Sequence, residues 1–492
     1  MTKKYFYKII GLLIVITLVI SISCKKKYQT EDRNYHRMSH LARTFSYKQI
    51  LKEFSDYPWS QEKDPEMLML YCEALVESRE GFPSFLKSLT SKTYIGEFAQ
   101  GYFDLLKGEL IGAADRFARL TGNQESRVWG YIGLLEFSLY TERIADVKEF
   151  LESLKMAAYQ EPSSVPSWAI PYYSAWYFFY SGDFSKVNRI LEEHRQQVDQ
   201  ITYLILQINL LERGNRFKDA GKVIKNLPPE FLDDQYIIAL ESDIIQFSIG
   251  AEQWKKYLNE KHVRFPNMWI IEQSYAEALI ESGQVQLGLN IFKELAEKRP
   301  FDILIQLDLA EILLDYGEGK DSEEFFKKLF SNPNVKLLPK FHILLARIYH
   351  LRGQEEKKQI HLNIARELYP KNTDLLWLMF NHAMEAHDYA NASQTINEIL
   401  ELYPNEVSAL VALMKLNYLK NEWDKLLVTE EIIKKSNRYI SVETWDEVKS
   451  FKALALAAQG KISEAYKVLS DIKSPGKRTE ITTKIKKQGH EK

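Results

Sequence analysis

Residues 266–300 read PNMWIIEQSYAEALIESGQVQLGLNIFKELAEKRP, two amphipathic runs joined at Ser282-Gly283 and closed by a proline. The apolar residues on either side of Gly283 recur at helical spacing, so the stretch predicts two helices folded back on each other across a tight turn. Its closing proline belongs to a ladder at 266, 300, 333, 370 and 404, with intervals of 34, 33, 37 and 34 residues. A period of that length marks a repeat array, because one hairpin cannot bury its apolar face without a neighbour to stack on.

Working outward, a register with the turn glycine at repeat position 15 starts at Trp269 and places Ala276 at 8, Gly288 at 20, Phe292 at 24 and Pro300 at 32. The next unit, from Ile303, carries Ala310, Gly317, Ser322 and Phe326, with Pro333 one residue early. From Pro339 come Ala346, Tyr349, Gly353, Ala365 and Pro370, with Lys358 at a small-residue position. From Thr373 come Ala392, Ile396 and Pro404, while Phe380 and His387 replace a small residue and the glycine. Downstream, Asn421 and Trp423 mark a turn, and Ala453, Gly460, Ala465 and Leu469 recover the pattern. Upstream, Gly101, Gly108, Ala113 and Phe117 form one unit, and Ala175, Gly182, Val187 and Leu191 another. Gly214 and Gly250 mark further turns, Ala74 and Gly81 another hairpin, and 33–54 an opening one.

Small residues at 8 and 20 let two helices approach closely, the aromatic at 24 fills the space against the next hairpin, and proline stops the second helix. This set of residues at this spacing resembles the tetratricopeptide-repeat family. The resemblance implies an all-α, right-handed superhelical solenoid of antiparallel helical hairpins, about 13 of them, ending near residue 470. No alternating strand pattern of useful length competes with it.

The N-terminus carries a different message. Lys3, Lys4 and Lys8 precede an apolar run, Ile9–Ile22, which at 14 residues fits a signal-peptide core better than a membrane-spanning helix of about 20 residues. The run ends Ser21-Ile22-Ser23-Cys24, which resembles the lipobox of bacterial lipoproteins, although Ser21 stands where that family usually has Leu. The resemblance implies cleavage before Cys24 and lipidation of its thiol, hence a membrane-anchored lipoprotein of the bacterial cell envelope, on the outer membrane. Expected organisation is therefore a signal peptide at 1–23, a polar tether at 24–32, hairpins at 33–158, a Pro/Ser-rich loop at 159–167, the main array at 168–470 and a basic flexible tail at 471–492. The loop reads either as a long inter-repeat connection or as a domain boundary.

Composition narrows the chemistry. With 45% hydrophobic and 27% charged residues among 492, the chain is a folded protein, and a net charge of −2 carries no basic excess for a nucleic-acid surface. Two cysteines exclude a disulfide scaffold, and Cys72, inside LYCEALV, reads as a buried core thiol. Ser84-Phe85-Leu86-Lys87 spells S-x-x-K without its partner motifs, and Gly317-Glu318-Gly319-Lys320 lacks the Ser or Thr of a phosphate loop. His36 and His40 share a helical face but lack a third ligand, His382 and His387 span a turn, and Glu323 and Glu324 are adjacent acids on a hydrated surface. The expectation is no enzyme, no cofactor and no metal.

Surface recognition remains. In tetratricopeptide repeats, first-helix positions 2, 5, 9 and 12 tend to line a concave face. The resemblance assigns to partner binding the aromatic residues Phe98, Tyr102, Tyr172, Trp176 and Phe179, and the mixed, partly basic Arg347, His350, Trp377, Asn381, Lys415 and Tyr418. Packing between hairpins is the competing reading of YYSAWYFFY. The Lys and Asn pattern with which family members clamp a peptide carboxylate does not line up. The leading expectation is a lipid-anchored adaptor binding an envelope protein or peptide; the alternative is a glycan-binding accessory protein or a cryptic periplasmic enzyme.

Overall fold

The computed structural model describes residues 31–490, apart from 45, 60–64, 91–92, 163, 196, 198–199, 229–230, 267, 318–319 and 437. The expected signal peptide, Cys24 and the expected tether up to residue 30 lie outside the described residues. Twenty-seven α-helices and no strand are found among those described. They pair in order as thirteen hairpins. The first seven are α1 (Glu31–Arg43)/α2 (Tyr47–Glu53), α3 (Pro65–Glu77)/α4 (Ser84–Thr90), α5 (Tyr94–Leu106)/α6 (Leu110–Thr121), α7 (Arg127–Tyr140)/α8 (Ile144–Gln160), α9 (Ala169–Tyr180)/α10 (Phe184–Glu193), α11 (Gln200–Arg213)/α12 (Phe217–Lys225) and α13 (Gln235–Ser248)/α14 (Ala251–Arg264). The remaining six are α15 (Trp269–Glu281)/α16 (Val285–Lys298), α17 (Ile303–Tyr316)/α18 (Lys320–Ser331), α19 (Pro339–Leu351)/α20 (Glu355–Leu368), α21 (Thr373–Glu385)/α22 (Tyr389–Leu402), α23 (Val407–Leu419)/α24 (Trp423–Lys435) and α25 (Val442–Ala458)/α26 (Ile462–Ser470), followed by α27 (Pro475–His490).

The turn inside most hairpins has one geometry. Its central residue takes positive φ, and the next N–H reaches back five residues, as in Gln284 N–H to Leu279 O at 2.8 Å and Asp388 N–H to Ala383 O at 2.8 Å. Gly283, Gly353 and Gly460 adopt that conformation freely, whereas Arg79, Glu142, Asn215, His387 and Asn421 adopt it with a side chain. Two expected turns shift: the left-handed residue is Asn215 rather than Gly214, and Arg79 rather than Gly81. Gly317 is not left-handed at all, and hairpin 9 is correspondingly splayed. Grooves of about 600 Å³ and 700 Å³ flank α18, one against α19 and one against α16 and α17.

Packing follows the register. A Cβ on Gly288 would lie 2.5 Å from the backbone oxygen of Ala276, so position 20 of this hairpin admits only glycine. The Phe117 ring nests between helices α5 and α7: a Cβ on Gly101 would come within 2.8 Å of it and one on Gly133 within 2.2 Å. Lys358, at a small-residue position, is buried with its ammonium group, which pairs with Glu355 at 2.6 Å.

The solenoid winds back on itself. The turn of one hairpin meets the connection about six hairpins further on, and arginines close the seam. Arg299 grips Glu77 with two bonds of 2.7 Å and lies 4.4 Å from the Trp269 ring. Arg213 sits among Phe179, Phe184 and Tyr403. Arg438 pairs with Glu406 at 2.6 Å beside Phe217 and Phe247, where Tyr439 N–H bonds Phe247 O at 2.8 Å.

One apolar core runs from Met38 to Ile348, through Leu154, Ala157, Trp168 and Tyr172. The Pro/Ser-rich stretch joins α8 to α9, and buried residues on both sides of it belong to that one core. Beyond it, the core divides into smaller clusters. The expected flexible tail is instead α27: Ile481 and Ile485, four apart, bury against the last hairpin and cover its open end. The basic residues of 471–492 had masked that two-residue stripe.

Candidate functional site: the inner face of the solenoid

The inner face changes character along the chain. In most hairpins the residue six before the turn holds the same register position on the first helix, the one the repeat pattern assigns to the inner face, giving Glu73, Tyr102, Glu136, Trp176 and Asn209, then from hairpin 8 Glu277, Glu311, Arg347, Asn381 and Lys415. Up to Glu311 every one is buried, whereas Asn381 and Lys415 are exposed. Acid gives way to base where the closed core gives way to an open surface.

Five of the eleven expected partner residues fall on the closed side. Phe98, Tyr102, Tyr172, Trp176 and Phe179 are each no more than 2% exposed. Phe98 meets Trp129 edge-on at 5.1 Å and Phe117 at 5.6 Å. Trp176 packs on Phe179 at 5.9 Å and Tyr180 at 6.1 Å, and Phe179 carries the Arg213 guanidinium at 4.3 Å. These rings are the core that joins consecutive hairpins and the two superhelical turns, so the assignment to partner binding is corrected to packing. A superhelix returning after about six hairpins brings its inner faces together, and large side chains fill the axis instead of lining a groove.

The other six lie on the open part. Arg347, on α19, donates to Glu311 at 3.0 Å and also pairs with Asp315. His350 is 3.4 Å from Glu385 on α21. On α21, Trp377 is half-buried, edge-on to Phe380 at 5.7 Å, and Asn381 is exposed one residue from His382, which bonds Glu355 at 2.8 Å. Lys415 on α23 is exposed, and Tyr418 is half-buried between Trp423 at 5.7 Å and Phe451 at 5.8 Å. Three successive first helices thus carry cationic, amide and aromatic groups that are exposed or half-buried.

The closed part holds a set of residues the sequence reading passed over: Glu73, Glu136, Glu212, Asp243 and Glu277, all buried. Tyr173 donates to Glu136 at 2.6 Å, Tyr47 to Glu73 at 2.9 Å, and Gln273 to Asp308 at 3.1 Å. Burial holds Glu73, Glu136 and Asp243 well above the usual carboxyl range, and pushes Glu212 up to about 8 and Glu281 to about 7. An acid in the middle of an otherwise apolar helical run, Glu73 in MLMLYCEALV, was the available signal. Cys72 is buried as expected, with its thiol 3.4 Å from Ala99 O and its pKa raised by burial. Among the described residues no group of three or more His, Cys, Asp or Glu side chains is placed to hold a metal ion, and no helix is long and apolar enough to cross a membrane.

No family model matches the chain, and no curated protein matches it in sequence. Solved structures do resemble it. A chain of the Cut9–Hcn1 hetero-tetramer of APC/C aligns with a TM-score of 0.50 at 10% identity, over 96% of this chain and 89% of that one. The human IFIT1 dimer with m7Gppp-AAAA aligns at 0.37 and 11% identity, over 88% and 95%. With thirteen helical hairpins among the described residues and a solved structure matching nearly end to end, the chain has the tetratricopeptide-type fold, an all-α repeat solenoid.

Proposed function

We propose that this protein is a lipid-anchored adaptor of the bacterial cell envelope, tethered through Cys24, which holds an extended segment of a partner protein on the open inner face of α19, α21 and α23. The observation that supports this reading is the change along the inner face from buried core to exposed groups at Asn381 and Lys415, flanked by half-buried Trp377 and Tyr418. Aromatic and cationic groups of this kind dominate interface energetics when a partner covers them. The matching solved solenoid belongs to a hetero-tetramer, an assembly of protein chains. The closed N-terminal two-thirds then acts as a rigid spacer between anchor and binding surface, with no turnover of a substrate.

Affinity capture from detergent-solubilised membranes tests the proposal. Stoichiometric recovery of one envelope protein, reduced about tenfold or more by Trp377→Ala with Lys415→Glu, is the expected result. Recovery of sugar polymer without a protein would instead favour the glycan-binding alternative. Replacing Cys24 by Ser should release the protein from the membrane fraction; unchanged fractionation would refute lipid anchoring.

A further inference from the structure

A cavity of about 40 Å³ lies on the axis where the two superhelical turns meet, enclosed by Tyr47, Glu73 and Glu77 of the first turn and Gln235, Trp269 and Arg299 of the second. Most of the charged groups around it satisfy one another. Arg299 bonds both oxygens of Glu77 at 2.7 Å and reaches Asp302 at 3.3 Å, and Tyr47 donates to Glu73 Oε1 at 2.9 Å. Three polar atoms are left over. Glu73 Oε2, Gln235 Oε1 and Gln235 Nε2 have no hydrogen-bond partner among the described residues, although Glu73 is 6% exposed and Gln235 only 1%. An unpaired buried amide and carboxyl oxygen cost on the order of 1–3 kcal/mol each, so their convergence on one cavity calls for an occupant.

The chemistry of that occupant follows from the walls. Glu77 and Asp302 face a single cation, Arg299, and Glu73 adds a third carboxyl, so the cavity wall is richer in acid than in base and suits a positive charge. Two oxygens need N–H donors, and one amide N–H needs an acceptor. Tyr140 and Trp269 add aromatic walls suited to an ammonium group. The volume takes about three water-sized groups, enough for a short organic ion and too little for a peptide. We propose that this inter-turn cavity is a binding site for a small primary ammonium ion carrying one hydroxyl, of the size of ethanolamine. Its –NH3+ donates to Glu73 Oε2 and Gln235 Oε1, and its hydroxyl oxygen accepts from Gln235 Nε2. Occupancy bridges hairpins 2 and 7 and tightens the seam between the two turns.

Burial and the neighbouring Glu77 raise the Glu73 carboxyl, with Tyr47 and Arg299 opposing them. A bound cation favours its ionised form, so affinity rises with pH. The test is thermal unfolding and calorimetric titration of the full chain with ethanolamine, with ethylene glycol as an uncharged probe of the same size and sodium chloride at matched ionic strength. The expected result is a saturable rise in Tm with ethanolamine alone, tighter at pH 8 than at pH 6, and lost in both Glu73→Gln and Gln235→Leu. The two variants fail differently if folding is the problem, so each is first checked for an unchanged helical spectrum. Equal shifts with ethylene glycol would overturn the proposal by showing that the cavity takes only neutral, water-like occupants. Ethanolamine binding undiminished in both folded variants would overturn it as well.

Discussion

Replacing Arg299 by Met should unlock the seam between the superhelical turns while leaving each hairpin intact. The guanidinium is largely buried, bonded twice to Glu77 at 2.7 Å, bonded to Asp302 at 3.3 Å, and 4.4 Å from the face of Trp269. Methionine keeps the apolar stem against Trp269 but strands two buried carboxylates. Removing one partner of such a pair costs about 3–5 kcal/mol, most of it the desolvation of the charge left behind. Losing the cation–π contact adds about 0.5–2 kcal/mol. Because Glu77 lies in hairpin 2 and Arg299 after hairpin 8, the loss should fall on the seam and not on local helices. Hydrogen exchange at residues 77–80 and 298–303 should therefore quicken together, while α21 and α23 stay unchanged. The double variant Arg299→Met with Glu77→Gln removes one of the two stranded charges and should recover about half of the lost stability, read from urea unfolding. A single-variant loss under about 1 kcal/mol with unchanged exchange at the seam would refute the closed winding.

Other consequences are as specific. The buried carboxyls have raised folded-state values, near 8 for Glu212, 7 for Glu281 and 6 for Asp234, each dominated by burial. Their stabilising contribution is complete below the unfolded values near 4 and is lost as pH rises through 6 to 8. The urea midpoint should therefore fall between pH 5 and pH 8.5, and Glu212→Gln should flatten that fall; a midpoint that climbs over the window contradicts it. Gly133→Ala pushes a methyl to 2.2 Å from the Phe117 ring and should cost about 1–3 kcal/mol, partly relieved by adding Phe117→Leu. His387 holds a turn at φ 56°, so His387→Gly should stabilise by up to about 1 kcal/mol in thermal unfolding, whereas Gly283→Ala at φ 86° should destabilise.

The scaffold was legible because its determinants are local. A turn residue, two small positions and one aromatic recur at fixed offsets, and Gly101, Gly288 and Phe117 show why: each occupies space that a larger or smaller side chain could not share. The inner face was not legible from the same offsets, because whether it is a groove or a core depends on how tightly the array winds. That is set by contacts such as Arg299 with Glu77, which are 222 residues apart. A warning was present in α9, whose AIPYYSAWYFFY offers no polar face, since a helix apolar all round is buried. In α21, by contrast, Asn381 and His382 leave a polar strip, and Asn381 there is exposed. The C-terminal helix escaped notice because two isoleucines suffice to cap an array end.

The most direct test of the account is site-specific photo-crosslinking in membranes, with the reactive residue at position 381 or 415 on the open inner face and at the exposed Ile360 on the second helix of hairpin 10 as the comparison. The account predicts one discrete protein adduct from 381 and 415 and none from 360; an adduct from 360 with none from the inner positions would contradict it.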